Sequence, residues 1–384
     1  MERSISDINK KINSGKVFVL TAQEAKKYIK ENGLSEFLNT VDIVTCSSFE
    51  MQVNALLYLS FGQTDPLIYF DEVYLNNIPT SVCGPTDIAI ALSASSSLNP
   101  KYSGANLIED LINKKDIHLK ATGKNYEVYK NLEFETWFNL NDVNIARLFL
   151  NQVINQNNIV ACNAGSKDIN SPFGTLIGNL ENSTYNSSSY INPLINDPFC
   201  QAIGIGTNIW ISGGKGIVTG YGTNHNPKQK RNKKDIPVGP SITLSAVCDL
   251  FNIIPKFMRA GHINSFGSVL YVGAGIPIPI LNESIAKGIE IEDSDIETVI
   301  VDYSIPRRGK PILGTCNYRT LRTSTIDISG KSTLCAPLSS MSYAMEISEI
   351  LKDEILNKSI LLTENFSPLN LTLESKKLDS RLGV

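Results

Sequence analysis

Seven cysteines are the residues of this chain best suited to covalent chemistry, at positions 46, 83, 162, 200, 248, 316 and 335. A thiolate attacks or carries sulfur effectively when nearby positive charge or a helix N-terminus lowers its pKa. Cys46 follows the apolar strand pattern 41–45, in Thr45-Cys-Ser-Ser-Phe49, and precedes an apolar segment from Met51 to Leu59 that reads as a helix. That setting makes Cys46 the leading candidate nucleophile. Cys83, in the turn-like Ser81-Val-Cys-Gly-Pro85, is the second. The other five read as small buried hydrophobes. Their spacing is irregular, no CxxC occurs and the count is odd, so neither a disulfide framework nor a zinc ribbon is expected. His118, His225 and His262 form no HExxH-type pair, so no metal site is expected either.

The glycine-rich segment from Ile203 to His225 is the next chemical candidate. Gly204 and Gly206 would let backbone approach a ligand closely, and successive N–H groups can cradle an anion. Ile209 stands where a dinucleotide fingerprint needs its third glycine, and Gly216 follows Gly214-Lys215 where a P-loop needs Ser or Thr. Tight turns between packed strands account for the glycines equally well. His225 could act as a general acid or base, because an imidazole titrates near neutrality, or it could be a satisfied structural histidine. In Val301-Asp-Tyr-Ser-Ile-Pro-Arg-Arg308, Arg307 and Arg308 could grip a substrate carboxylate in two-point contact. Asp302 could be a catalytic acid or the ion-pair partner of one of them. No G-x-S-x-G elbow marks a serine hydrolase.

Helices and strands alternate through the first 150 residues. Ile5, Ile8 and Ile12 lie on one helical face and Gly15 is a natural stop. Val17–Leu20 reads as a strand, and Thr21-Ala-Gln-Glu24 as a capping box opening a helix that Gly33 closes. A helix is expected from Ser103, another from Asn141 with Val143, Ala146 and Leu150 on one face, and a last one near 342–356. Short β-rich runs such as Gly216–Thr219 and Val269–Val272 punctuate the second half. The fold class expected is therefore α/β: a mixed, largely parallel sheet in the N-terminal half with helices on its faces, then a glycine-rich, β-containing half. Residues 1–355 are expected to form one integrated catalytic domain, with a soft internal boundary near 150–160, followed by a polar C-terminal tail over 356–384. The chain is 384 residues long with 42% hydrophobic and 19% charged residues, which suffices for a sizeable core. Its net charge of −3 favours neither nucleic acid nor an anionic membrane. The N-terminal stretch lacks the apolar core of a secretory signal, and no run approaches the ~18 to 20 apolar residues of a membrane span, so a cytoplasmic protein is expected. The basic run 228–234 reads as a solvated loop.

Many segments resemble the homocysteine biosynthesis (aspartate semialdehyde sulfurtransferase) family of methanogens and other anaerobes. They include Phe61-Gly-Gln-Thr-Asp-Pro66, Ile108-Glu-Asp-Leu111, Ile203-Gly-Ile-Gly-Thr207, Thr223-Asn-His-Asn-Pro227, Leu270-Tyr-Val-Gly-Ala-Gly-Ile-Pro-Ile-Pro-Ile280 and Pro306-Arg-Arg308. The resemblance implies an enzyme that incorporates sulfur into a small amino-acid aldehyde, converting aspartate semialdehyde to homocysteine. In the family a cysteine passes sulfide on and a partner protein supplies reducing equivalents. A persulfide would attack the carbonyl, an oxyanion donor would hold the adduct, and reduction would follow. The family's two reactive cysteines correspond to Val53 and Val128 here, and Asn106, a candidate substrate-binding residue, stands where the family has a histidine. Either Cys46 or Cys83 takes over as sulfur carrier, or the chain acts on a related amino or keto acid without persulfide chemistry. A non-catalytic, metabolite-binding role is the third reading. The partners expected are an amino-acid-like small molecule and a sulfide- or electron-donor protein; a homo-oligomer is compatible, and no cofactor is called for.

Overall fold

The computed structural model describes residues 3–186, 189–373 and 376. Local signals set the first elements. Ser4 caps helix α1 (Ile5–Ser14) by accepting the Asp7 amide, and Gly15 ends it in the left-handed region at φ +69°. Strand β1 (Val19–Thr21) runs into α2 (Ala22–Asn32) through the capping box: Thr21 Oγ1 accepts the Glu24 amide at 3.3 Å, and Glu24 Oε2 accepts the Thr21 amide at 2.8 Å. After α3 (Leu34–Thr40), strand β2 (Ile43–Gln52) returns parallel to β1, with Val19 opposite Ile43. This crossover carries the β-α-β rhythm read in the sequence.

Two apolar segments expected to be helical are strands. Met51–Leu59 comprises the end of β2, a turn at Val53 and Asn54, and β3 (Ala55–Ser60). Asn141 lies in a short 3₁₀ turn, Leu140–Asp142, and the chain then extends as strand Ile145–Asn155. Ala146 and Leu150 are four residues apart, a spacing that puts them on one face of either a helix or a strand. Leu148, buried between them, fits only the period of two.

The main sheet has eleven strands. The others are β4 (Ser81–Val82), β5 (Asp87–Ala91), β6 (Ile145–Asn155), β7 (Asn208–Ile211), β8 (Gly214–Tyr221), β9 (Thr243–Asp249), β10 (Met258–Ile263) and β11 (Gly267–Pro279). Their order is β1-β2-β11-β7-β8-β9-β6-β3-β5-β4, with β10 on the side of β11. Apart from β1–β2 its ladders are antiparallel. A six-stranded sheet is built from Ile312–Asn317, Glu297–Asp302, Val160–Cys162, Asn182–Tyr185, Lys331–Pro337 and Thr325–Ile328, in that order, and contains two parallel pairs. A four-stranded sheet over 70–138 completes the larger ladders. The fold class is thus α/β with mixed sheets, as expected, and strands from both halves of the sequence interleave in the main sheet.

Helix α8 (Met341–Leu356), which follows the short α7 (Tyr318–Leu321), lies on one face of β2 and β11, where Phe49, Trp210, Phe257, Ile347 and Leu351 form a core cluster. The opposite face of β2 packs towards α2, toward α5 (Pro193–Asn196) and, through it, toward α6 (Glu283–Ile289). The segment after α8, read as a polar tail, is anchored to the fold at a few points. Leu362 and Leu369 are buried, and Ser367–Pro368 pairs with Gly204–Ile205. Among the described residues no helix is long and apolar enough to cross a membrane.

Candidate functional site

Strand β2 presents two chemically different faces. Towards α8, Thr45 Oγ1 donates to the Ser348 carbonyl at 2.9 Å, Ser47 donates to the Ala344 carbonyl, and Phe49 meets Tyr343 edge-on. The other face begins apolar with Val44 and Cys46, then turns polar through Ser48, Glu50 and Gln52. All five side chains are buried. Asn155 Nδ2 donates to Glu50 Oε2 at 3.3 Å, whereas Ser48 Oγ and both amide atoms of Gln52 have no hydrogen-bond partner among the described residues. Buried polar atoms are normally satisfied, so such a cluster marks a place where water or a ligand belongs. Nearby, Asn186, Asn192, Tyr318 and Glu50 line a small polar cavity with room for about one water molecule.

Lys26 on α2 is the second unusual group. It shares the buried face of that helix with Ala22, Ala25 and Ile29. Its Nζ donates to the carbonyls of Ile289, at 2.6 Å, and Ile291, and lies 5.2 Å from the centre of the Tyr190 ring. Burial lowers its pKa to about 8, against the opposing pull of Cys46, Glu292, Asp293 and Asp295. Lys26 opens onto a cleft of about 520 Å³ that is also lined by Lys27, Lys30, Arg319, Arg322, Glu292 and Asp293. Five cations face two carboxylates there. Arg322 Nε sits 2.5 Å from Asp293 Oδ2, and Arg322 Nη2 donates to Ser189 Oγ at 2.9 Å. Asp293 is nonetheless raised above the usual carboxylate range by its burial. Such a cleft suits a small acidic molecule, and a buried amine that loses its proton near pH 8 is a competent nucleophile or base towards a carbonyl.

The residues singled out from sequence fall on separate elements. Cys46 is fully buried in β2, and burial drives its thiol pKa far up despite the attraction of Lys26. It stands in mid-strand with no helix start after it, so the setting that promised an activated thiolate is absent. Cys83 is the one cysteine exposed at the surface; its Sγ lies 3.5 Å from the Ser81 carbonyl. Val53 is half-buried at the β2–β3 turn, and Val128 is 73% exposed in the loop between strands Ile117–Gly123 and Glu133–Phe138.

His225 is a buried, satisfied histidine. Its Nδ1 accepts the Thr243 amide at 3.3 Å, which makes Nε2 the protonated nitrogen, donating to the Asn370 carbonyl at 3.0 Å. Burial lowers its pKa. Gly204 and Gly206 serve the same C-terminal segment. A Cβ on Gly204 would stand 2.6 Å from Asn365, and one on Gly206, where φ is +94°, would stand 2.4 Å from the Phe366 ring. The close approach that these glycines permit is therefore to residues 365–368. Asp302 accepts the amides of Ala164 and Ser304 at 3.1 and 2.9 Å and the Ser304 hydroxyl at 2.8 Å, fixing the turn that carries Arg307 and Arg308. Both arginines are exposed, and neither lines the Lys26 cleft. Asn106 completes the cap of α4 (Gly104–Ile112), its Oδ1 accepting the Ser103 amide at 3.0 Å. Lys26 and the Ser48–Gln52 row went unremarked in sequence, although each leaves a trace: a lysine inside an apolar helical stripe, and polar residues alternating along a strand of the core.

A family profile described as "Homocysteine biosynthesis enzyme, sulfur-incorporation" matches residues 17–362. The chain is 36% identical over 399 residues to a protein of Methanocaldococcus jannaschii described as L-aspartate semialdehyde sulfurtransferase, covering 100% of this chain and 76% of the relative. It is 34% identical over 386 residues to one of the same description from Methanosarcina acetivorans, covering 100% and 75%. An uncharacterized protein of Methanothermobacter thermautotrophicus is 24% identical over 313 residues, covering 79% and 68%. No solved structure matches the chain.

Proposed function

The chain belongs to the homocysteine biosynthesis, sulfur-incorporation family, and on that premise we propose that it is an enzyme that inserts sulfur into a small acidic aldehyde of the aspartate semialdehyde kind. The observation that carries this reading is the 36% identity, over the whole chain, to a protein described as L-aspartate semialdehyde sulfurtransferase. The cationic cleft around Lys26 supports an acidic substrate.

The proposed route does not begin on a resident cysteine persulfide. Val53 and Val128 offer no thiol, and Cys46 is held protonated by burial. Hydrosulfide instead adds to the aldehyde carbon: a C–S bond forms, the carbonyl π pair moves to oxygen, and that oxygen takes a proton. Loss of water leaves a thioaldehyde. Two electrons and two protons from an external low-potential donor then give the thiol. Lys26 hydrogen-bonds to the substrate's carboxylate or developing oxyanion, and Arg322 with Asp293 forms the wall beside it.

A second reading keeps the cleft but makes a different bond, on a related amino or keto acid; the burial of Cys46, Cys162, Cys200, Cys248 and Cys335 favours it over any thiol relay. The test is anaerobic incubation with sulfide, a low-potential reductant and aspartate semialdehyde, using the wild type and Cys83→Ser. Homocysteine from both proteins supports direct sulfide addition. Product lost only in Cys83→Ser refutes that route in favour of a relocated thiol. No product from either, together with saturable binding of the aldehyde, refutes sulfur insertion and leaves the second reading.

A further inference from the structure

One half of the main sheet has a face that no other element among the described residues covers. Directly opposed residues in antiparallel ladders point to the same side. The register therefore places Ala91, Leu56, Phe149, Val247, Ile217 and Asn208 in one row across β5, β3, β6, β9, β8 and β7. Asn208 shares this face with Trp210, and Trp210 Nε1 donates to Glu354 of α8 at 3.2 Å. Cover by α8 thus stops at β7, and the row beyond it is bare. Leu56 is 38%, Phe149 39% and Ile217 47% exposed. Solvated faces of antiparallel sheets are ordinarily polar, so an apolar row across five strands calls for a partner.

We infer that this face pairs with the same face of a second copy of the chain, in a two-fold dimer. The reason is self-complementarity. A two-fold axis parallel to the strands, midway between β6 and β9, lays each copy's β6 over the other's β9 and β3 over β8. Phe149 then meets the second copy's Val247, and Leu56 meets its Ile217. One pleat along, Arg147 stands opposite Asp249 across the ladder, and among the described residues Arg147 has no ion pair within its own chain. The same axis lays Arg147 of each copy over Asp249 of the other, so the charges match as well as the apolar groups. Five strands at about 4.8 Å, each contributing about six residues at 3.3 Å, give a patch of about 480 Å² per copy. Two such faces bury about 1,000 Å², the lower bound for a specific interface, which predicts a dimer that dissociates on dilution.

Sedimentation of the full chain across a wide range of concentration tests this. The expected result is a concentration-dependent rise from 42.1 kDa towards twice that mass. Phe149→Glu should weaken association by at least roughly tenfold, since it sets a charge at the centre of the patch. Ile217→Lys, on another strand, repeats the test if the first variant does not fold, with circular dichroism and thermal midpoint as the check. Arg147→Glu should also weaken the dimer, and adding Asp249→Arg should restore it. A wild type that stays monomeric throughout overturns the inference. So does a dimer that persists in folded Phe149→Glu, because it must then use another surface.

Discussion

Replacing Lys26 by methionine keeps most of the stem volume and removes the charge, and its effect on stability should depend on pH in a defined direction. In the folded protein the amine loses its proton at about 8, against an ordinary value of 10.5. Between these values the unfolded chain binds the extra proton, so raising the pH through the window favours the folded state. Below pH 8 the buried cation costs the fold its full penalty, about 3 kcal/mol for a shift of this size. Above it the penalty falls steadily and is gone only once the pH passes the ordinary value of 10.5. The substitution also strips the carbonyls of Ile289 and Ile291 of their donor, a cost of about 1–3 kcal/mol each, which has no steep pH dependence. The two effects about cancel at pH 7. At pH 10 less than about 1 kcal/mol of that penalty remains beside the lost hydrogen bonds, so the variant should be clearly the weaker protein. Urea unfolding of both proteins at pH 7 and pH 10 should show the wild type gaining about 2–3 kcal/mol relative to Lys26→Met. Parallel pH profiles would refute the argument, because they would mean that the amine titrates as if it were in water.

Three further outcomes follow from the same geometry. Under native conditions an aromatic disulfide reagent should modify one cysteine rapidly, and Cys83→Ser should remove that signal, while Cys46 should react only on unfolding. Gly206→Ala drives a methyl group into the Phe366 ring at a left-handed φ, so about 1–3 kcal/mol of stability should be lost and proteolysis after residue 360 should speed up; an unchanged thermal midpoint would contradict the packing of that segment. His225 has a folded pKa below its ordinary 6.5, so the unfolded chain takes up its proton first as the pH falls. The stability this supplies is present above pH 6.5 and is lost as the pH drops below it, and His225→Gln should flatten that part of the acid limb in a thermal-midpoint series from pH 7.5 to 5.

What could be read from the sequence was what local chemistry controls. The Thr21–Glu24 capping box, the Gly15 stop, and the helices α4 and α8 each depend on a few neighbouring residues, and each is present. The parallel β1–β2 pair lies where the crossover rhythm was read. Met51–Leu59 and Val143–Leu150 were read as helical because apolar residues four apart suit both periods, and only long-range ladders to β6, β9 and β11 decide between them. The glycines of 204–206 announced a close approach without saying to what; the answer, residues 365–368, lies 160 positions away in sequence. Cys46 looked like a thiol at the end of a strand, yet β2 runs six residues beyond it into the core. Lys26 was hidden by its own helix, where a charged residue is ordinarily solvated and only tertiary packing buries it.

Isotope tracing separates direct addition of sulfide from a thiol relay: the purified chain is supplied anaerobically with ³⁴S-labelled sulfide, a low-potential reductant and aspartate semialdehyde, and the thiol product is read by mass spectrometry. Direct addition gives homocysteine carrying the heavy sulfur, formed at similar rates by the wild type and by a variant in which Cys46 and Cys83 are both serine. Unlabelled product, or labelled product that vanishes in the double variant, would contradict direct addition of sulfide. Absence of any thiol from an intact protein that binds the aldehyde would contradict sulfur insertion itself.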